Sequence, residues 1–251
     1  MSNRNPAISQ PSQEHELDIV IPVYNEGPNI LRTLDWLFRS NKTAFRVFIV
    51  YDKEDDDTIP VIKNITHEYK NRIVLVKNKG RGPHSAVCTG FEKSTSPAVI
   101  MYPADDDYND GLIDRLFKKW KEEGCEIVCA SRFIKDGCMK GAPLLKNVLI
   151  RIAAFTLCHV GRISTHDPSN GLRLFSRRVL NEFEIESSQG FTYSIELLMK
   201  THRKGWKIGE VPAKWHERKE GQSRFKVLKW LPAYLRWFFY GMTAGWLRGI
   251  K

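Results

Sequence analysis

FRVFIVYDKEDDDTIPVIKNITHEYKNRIVLVKN, residues 45–78, reads as a strand, a helix and a second strand. An apolar, β-branched run covers 45–52, a helix is expected over 59–69, and a second such run covers 72–78. Two strands joined by one helix imply parallel pairing through a right-handed crossover. The same alternation extends to both sides. Toward the N-terminus, DIVIPVYNE (18–26) opens as a strand, and Pro22, which has no N–H to give a ladder, is expected to turn the chain into a loop. Ile30, Leu31, Leu34, Leu37 and Phe38 then follow helical spacing. Toward the C-terminus come a helix over 84–92, the strand AVIMYP (98–103), a helix over 112–121 and the strand CEIVCASR (125–132). The expected fold class is α/β, a mostly parallel sheet flanked by helices, whose ligands bind beyond the carboxyl ends of the strands.

Composition fits that reading. The chain has 251 residues, 42% hydrophobic and 27% charged, which excludes fibrous and wholly disordered classes. Residues 1–16 are polar, aperiodic and carry Pro6 and Pro11, so a flexible tail is expected before a domain over 17–225 and an amphipathic segment over 226–251. No apolar stretch is long enough to cross a bilayer as a helix, and the first residues lack a secretory core, so the chain is expected in the cytoplasm or on its membrane face. The five cysteines lack zinc spacing and are expected to be reduced. From Lys200 to Lys251 there are 13 Lys and Arg against three Glu, a net +10, while the rest is balanced at 26 and 26. Such a basic end suits an anionic partner.

The residues after the strands are polar: Tyr24, Asn25 and Glu26; Asp52; Asn78 to Gly82; then Asp105, Asp106, Asp107 and Asp110. Three successive carboxylates repel unless solvated or neutralised by a divalent ion. In an extended segment Asp105 and Asp107 face one side and Asp106 the other, so the first two can share Mg2+ or Mn2+ with phosphate oxygens and water. A solvated acidic loop explains the same residues, and at this level both readings stand.

Taken together, these segments resemble the family 2 glycosyltransferases of GT-A fold, in the branch of the dolichyl-phosphate mannose synthases and bacterial polyprenyl-phosphate glycosyltransferases. DIVIPVYNE is similar to the family's opening VVIPxYNE, VYDKEDDDT (50–58) stands where the family has VDDGSxDGT, NKGRG (78–82) resembles NxGxG, and PADDDYND (103–110) falls at the DxD position. ASRF (130–133), HDPSNGLRLF (166–175) and VPAKWHERKEGQSRF (211–225) are similar to GSRF, DxxSGFR and VPxxxxxRxxGxSK. The resemblance implies a nucleoside-diphosphate sugar donor of GDP-mannose or UDP-glucose type. It implies a nucleotide pocket at Pro22, Tyr24 and Glu26, a base contact at Asp52 with Asp56 as a second acid, and a donor loop at Lys79, Gly80 and Gly82. It also implies a metal and diphosphate site at Asp105 and Asp107 with Asp106 beside it, and inversion at the anomeric carbon. Tyr51, Lys53, Glu54, Asn170 and Arg224 depart from the family pattern, and Ala233 stands where the QxxRW motif of processive synthases needs Gln.

A leaving diphosphate needs cations, and Arg132, Arg218 and Arg224 are the expected guanidinium partners. The acceptor divides two readings. A glycan hydroxyl needs a general base, for which Asp167 or Glu196 stands available, Asp167 reading equally as a turn cap; a polyprenyl phosphate is already anionic and needs cations instead. The resemblance implies the phosphate. An apolar helix at 143–161 and the aromatic, basic segment 226–251 fit a peripheral protein on an anionic membrane, or helices packed on the domain. A distant alternative, a basic nucleic-acid-binding protein, would account for the charge but leaves the acidic strand ends unexplained, since carboxylates there repel phosphate, so no nucleic-acid partner is expected.

Overall fold

The computed structural model describes residues 15–65, 67–216 and 227–248. The first half alternates as expected: β1 (Leu17–Val23), α1 (Asn29–Ser40), β2 (Phe45–Tyr51), α2 (Thr58–Lys63), α3 (His67–Lys70), β3 (Ile73–Lys77), α4 (Gly82–Lys93), β4 (Ala98–Met101), α5 (Leu112–Glu123) and β5 (Ile127–Ser131). Then follow β6 (Cys138–Lys140), α6 (Leu144–His159), β7 (Arg173–Ser176), α7 (Arg177–Glu182), α8 (Thr192–Lys204), β8 (Ile208–Pro212), β9 (Lys214–His216) and α9 (Val227–Arg248). The main sheet runs β3-β2-β1-β4-β7-β5-β8, and β6 pairs with β9 in a small second sheet. Every neighbouring pair in the main sheet is parallel except those of β7, which is antiparallel to both β4 and β5.

Strand alternation sorts the core into two layers. Leu17, Ile19, Ile21 and Val23 of β1 pack with Ile30, Leu34 and Leu37 of α1 and Leu112, Ile113 and Leu116 of α5. Val20 faces the other way, toward Ala86, Val87 and Phe91 of α4, Leu197 and Leu198 of α8, and Trp237 of α9. A period of two on the strand and 3.6 on the helices produces this division. Gly90 brings α4 against β1, since a Cβ there would lie 2.3 Å from Val20 Cγ1. Gly90→Ala is therefore expected to destabilise the chain by about 1–3 kcal/mol, although alanine is the better helix former by about 1 kcal/mol. Equilibrium urea unfolding measures it.

Two sequence expectations are corrected. Pro22 does not end β1, which pairs with β2 through Val23 opposite Tyr51. Val20 O accepts from Tyr102 N just past the end of β4, and Pro22 has the same parity as Val20, so its missing N–H faces a side that β4 has already left. The helix expected over 59–69 is two helices, because Asn64 N donates to Pro60 O and closes α2.

The C-terminal α9 packs on α8. Trp237 is buried, Lys200 Nζ lies 5.2 Å from the centre of its ring, and a Cβ on Gly241 would meet Met199 Sδ at 2.1 Å. Leu231, Leu235 and Phe239 remain exposed on the other side. Among the described residues no helix is long and apolar enough to cross a membrane.

Candidate functional site

The loops after β1, β2, β3, β4, β5 and β8 all open at one edge of the sheet, as parallel strands require. The 24–27 loop leaves β1 through positive φ at Asn25 and Gly27. Three acceptors fasten its backbone: Asn25 N donates to Asp56 Oδ2 (3.0 Å), Glu26 N to Thr58 Oγ1 (3.1 Å) and Gly27 N to Asp57 Oδ1 (2.8 Å). Asp56, buried, is thereby a structural acid that shapes the loop holding Tyr24 and Glu26.

Asp52 is held at the start of α4. It accepts from Gly82 N (2.7 Å) and from Asn78 Nδ2 (2.6 Å). Asn78 is a hub, which its place in NKGRG alone does not reveal. Its Oδ1 also accepts from Gly80 N (3.1 Å), Ser85 Oγ (2.8 Å) and Thr89 Oγ1 (3.0 Å), so one buried amide joins the second and third strand ends. A Cβ on Gly80 would collide with Ser85 Oγ, and Gly82 has φ +82°, so both glycines are needed for the loop. Lys79 pairs with Glu92 at the surface.

In the acidic loop the carboxylates separate as alternation predicts. Asp105 and Asp107 are half-buried, whereas Asp106 is buried and accepts from Asn109 Nδ2 at 2.7 Å. Burial pushes the Asp106 carboxyl up to about 6 against the opposing pull of its hydrogen bonds. Asp106 thus anchors the loop from inside and does not face a ligand. Asn109 extends the anchor to β9: its Nδ2 donates to Lys214 O (2.9 Å) and its Oδ1 accepts from Lys214 N (2.7 Å). Tyr108 stacks on His216 at 4.5 Å.

Asp107 forms an ion pair with Arg32 of α1, a residue the sequence did not single out. The Arg32 side chain is 68% exposed, so the pair is worth about 1 kcal/mol or less and yields readily to a stronger cation. Among the described residues no group of three or more His, Cys, Asp and Glu converges on one point. Two carboxylates at an open mouth fit Mg2+ or Mn2+, which take one or two carboxylates with phosphate and water, and do not fit a closed protein cage.

Arg132 and Asp167, proposed separately from sequence, form a single buried unit. Arg132 Nε and Nη2 donate to Asp167 Oδ2 and Oδ1 at 2.7 and 2.8 Å, and Arg132 N adds a third bond to Oδ2 at 2.9 Å. Burial alone would raise the Asp167 carboxyl; the Arg132 charge and hydrogen bonds outweigh it and hold it below the usual range. A buried carboxylate held this way is no proton acceptor for a sugar hydroxyl. Glu196 is buried too, accepting from Glu186 N, Ser187 N and Lys200 Nζ. Arg218 and Arg224 lie outside the described residues. All five cysteines are free thiols, and burial pushes Cys88 up to about 12, so it is no nucleophile.

The sequence profile for "Glycosyl transferase family 2" matches residues 18–183, from β1 to just past α7. The chain belongs to this family. It is 27% identical over 232 residues to a dolichol-phosphate mannosyltransferase of Pyrococcus furiosus, covering 88% of this chain and 62% of that protein, so the chain spans less than two thirds of that relative's length. It is 22% identical to a polyprenol monophosphomannose synthase of Mycolicibacterium smegmatis, covering 91% of each. Among solved structures, glucosyl-3-phosphoglycerate synthase from Mycobacterium tuberculosis, in complex with Mn2+, UDP and phosphoglyceric acid, superposes with a TM-score of 0.63 at 15% identity, covering 92% of this chain and 78% of that one. S. aureus TarS 1-349 with UDP-GlcNAc gives 0.59 at 16% identity, covering 82% and 60%. The fold of this family 2 member is therefore the GT-A arrangement expected from the motifs.

Proposed function

We infer that this chain is an inverting glycosyltransferase that moves a sugar from a nucleoside-diphosphate sugar to a polyprenyl phosphate at the cytoplasmic face of a membrane. The observation that carries the acceptor is α6. Leu144, Leu149, Ile152 and Phe155 are 79%, 57%, 58% and 63% exposed, an apolar surface on the helix that follows the Arg132 end of the sheet. Apolar surface left open to this extent calls for an apolar partner. The names of the two relatives and the burial of both candidate base carboxylates, Asp167 and Glu196, support the same acceptor.

In this reading Pro22, Tyr24 and Glu26 line the nucleotide pocket, Asp52 meets the base, and Lys79, Gly80 and Gly82 form the loop beside it. Asp105 and Asp107 hold Mg2+ or Mn2+, which when bound neutralises charge on the leaving diphosphate. Asp106 keeps those two carboxylates in place from behind. An acceptor phosphate oxygen attacks the anomeric carbon as the bond to the diphosphate breaks and its electron pair leaves with the diphosphate, converting an α-linked donor into a β-linked product. The phosphate brings no proton that a base must remove, and cations orient it.

Incubating the chain with Mn2+, GDP-mannose or UDP-glucose, and a prenyl phosphate, the corresponding prenol or a glycan tests this. Transfer is expected to the phosphate only, with a β-anomeric coupling in the product's NMR spectrum and salt-sensitive cosedimentation with anionic vesicles that Phe155→Glu weakens. Transfer to the glycan hydroxyl alone, or a retained α linkage, overturns it.

A further inference from the structure

A cavity of about 390 Å³ lies between the residue that follows Arg132 and the inner part of α6. Phe133, Ile152 and Phe155 give it an apolar wall, while Arg151, His159 and His166 give it hydrogen-bonding and cationic groups. Two of these polar groups are held in place. Glu210 of β8 accepts from His166 N (2.9 Å) and Thr165 Oγ1 (3.0 Å) through Oε2, and its Oε1 lies 2.5 Å from His166 Nδ1. A carboxylate at Nδ1 takes the hydrogen on that nitrogen and favours the imidazolium, whose Nε2–H is then left to donate to an anion. Arg151 donates through Nε to Asn147 Oδ1 (2.9 Å) and lies 4.7 Å from the centre of the Phe133 ring. Among the described residues its Nη groups have no hydrogen-bond partner.

The chain ties this cavity to the reaction edge twice. His166 is followed by Asp167, which grips Arg132, and Arg132 is followed by Phe133, a wall of the cavity. Apolar surface with two fixed polar groups suits an anionic amphiphile, whose charge meets guanidinium and imidazole while its hydrocarbon lies along the helix.

We propose that this cavity is the acceptor-binding site, with Arg151 and His166 taking the phosphate of a prenyl phosphate, Ile152, Phe155 and Phe133 taking its first isoprene units, and Glu210 positioning His166. The proposal rests on the polyprenyl-phosphate reading above. It adds the residues that make the choice of acceptor, and it does not involve the carboxylates that serve the donor.

The test is calorimetric binding to the full chain of farnesyl phosphate below its micellar concentration, farnesol and inorganic phosphate. Farnesyl phosphate is expected to bind at least tenfold more tightly than either of the others, because each supplies only half of the contact. Arg151→Gln and His166→Ala are each expected to weaken it about tenfold, the scale of one charge-assisted hydrogen bond, with farnesol and nucleotide binding unchanged. Glu210→Gln is expected to raise KM for the acceptor about threefold with kcat unchanged, because the imidazole is still present but less well oriented. Both ligand-facing side chains are exposed, so the variants should unfold at the wild-type temperature. An Arg151→Gln/His166→Ala variant that binds farnesyl phosphate like the wild type overturns the proposal. So does wild-type binding of inorganic phosphate as tight as that of farnesyl phosphate. If the double variant loses binding while the wild type transfers sugar to no prenyl phosphate, the site stands and the assigned reaction fails. If the wild type transfers and the double variant does so with unchanged acceptor KM, the reaction stands and the site fails.

Discussion

Asp107→Asn is expected to reduce sugar transfer about a hundredfold or more, the usual scale for removing one electrostatic contact to a developing charge. Thermal unfolding without ligand should move little, because the side chain is half-buried and its partner Arg32 is mostly exposed, a pair contributing about 1 kcal/mol at most. Calorimetric titration of Mn2+ in the presence of UDP or GDP should show the same loss, which separates weakened metal binding from a misfolded loop. Excess EDTA should bring the wild type to the level of the variant. Full turnover in the variant, or in EDTA, removes the metal assignment.

Arg132→Leu is expected to cost about 3–5 kcal/mol of stability at neutral pH, the penalty for leaving a buried carboxylate without its cation. For a chain of this size that lowers the unfolding midpoint by roughly 6–20 °C. The pH dependence identifies the cause. In the wild type Asp167 is held below its unfolded value, so the pair stabilises the fold above that value and the contribution fades as pH falls through the folded one. In the variant, burial is opposed only by the remaining hydrogen bonds from the backbone N–H of position 132, Ser169 Oγ and Asn170 N, so Asp167 rises relative to the wild type. Its deficit should then be largest at neutral pH and shrink in acid as Asp167 takes up a proton. Adding Asp167→Asn should recover most of the loss at pH 7 and remove its pH dependence. An Arg132→Leu protein whose midpoint lags the wild type equally at pH 5 and pH 8 would count against an uncompensated carboxylate.

The two carboxylates in these experiments were found in the sequence with unequal success. Asp107 was placed at a strand end facing away from Asp106 because side chains alternate along an extended segment, a local rule that needs no knowledge of neighbours. The local sequence around Asp167 fits a base or a turn cap, and only its meeting with Arg132, 35 residues earlier in the chain, shows it to be a buried counter-ion. Asn78 is visible as part of NKGRG, but its five side-chain hydrogen bonds depend on strands and helices folding around it.

The sequence by itself determined the strand–helix alternation from β1 to β5, apart from the division of α2 from α3 and the run of β1 past Pro22, and with it the edge of the sheet at which the polar loops gather. Periods of two and 3.6 are properties of the local chain, and parallel crossovers follow from them. Only the tertiary structure decided that β7 enters antiparallel between β4 and β5, since RLFS is four residues long and its place depends on pairing with strands far away in sequence. The same holds for the pairing of Arg32 with Asp107, for the docking of α9 through Gly241 onto Met199, and for the orientation of His166 by Glu210. Each joins residues distant along the chain, which come within reach of one another only after the sheet has formed.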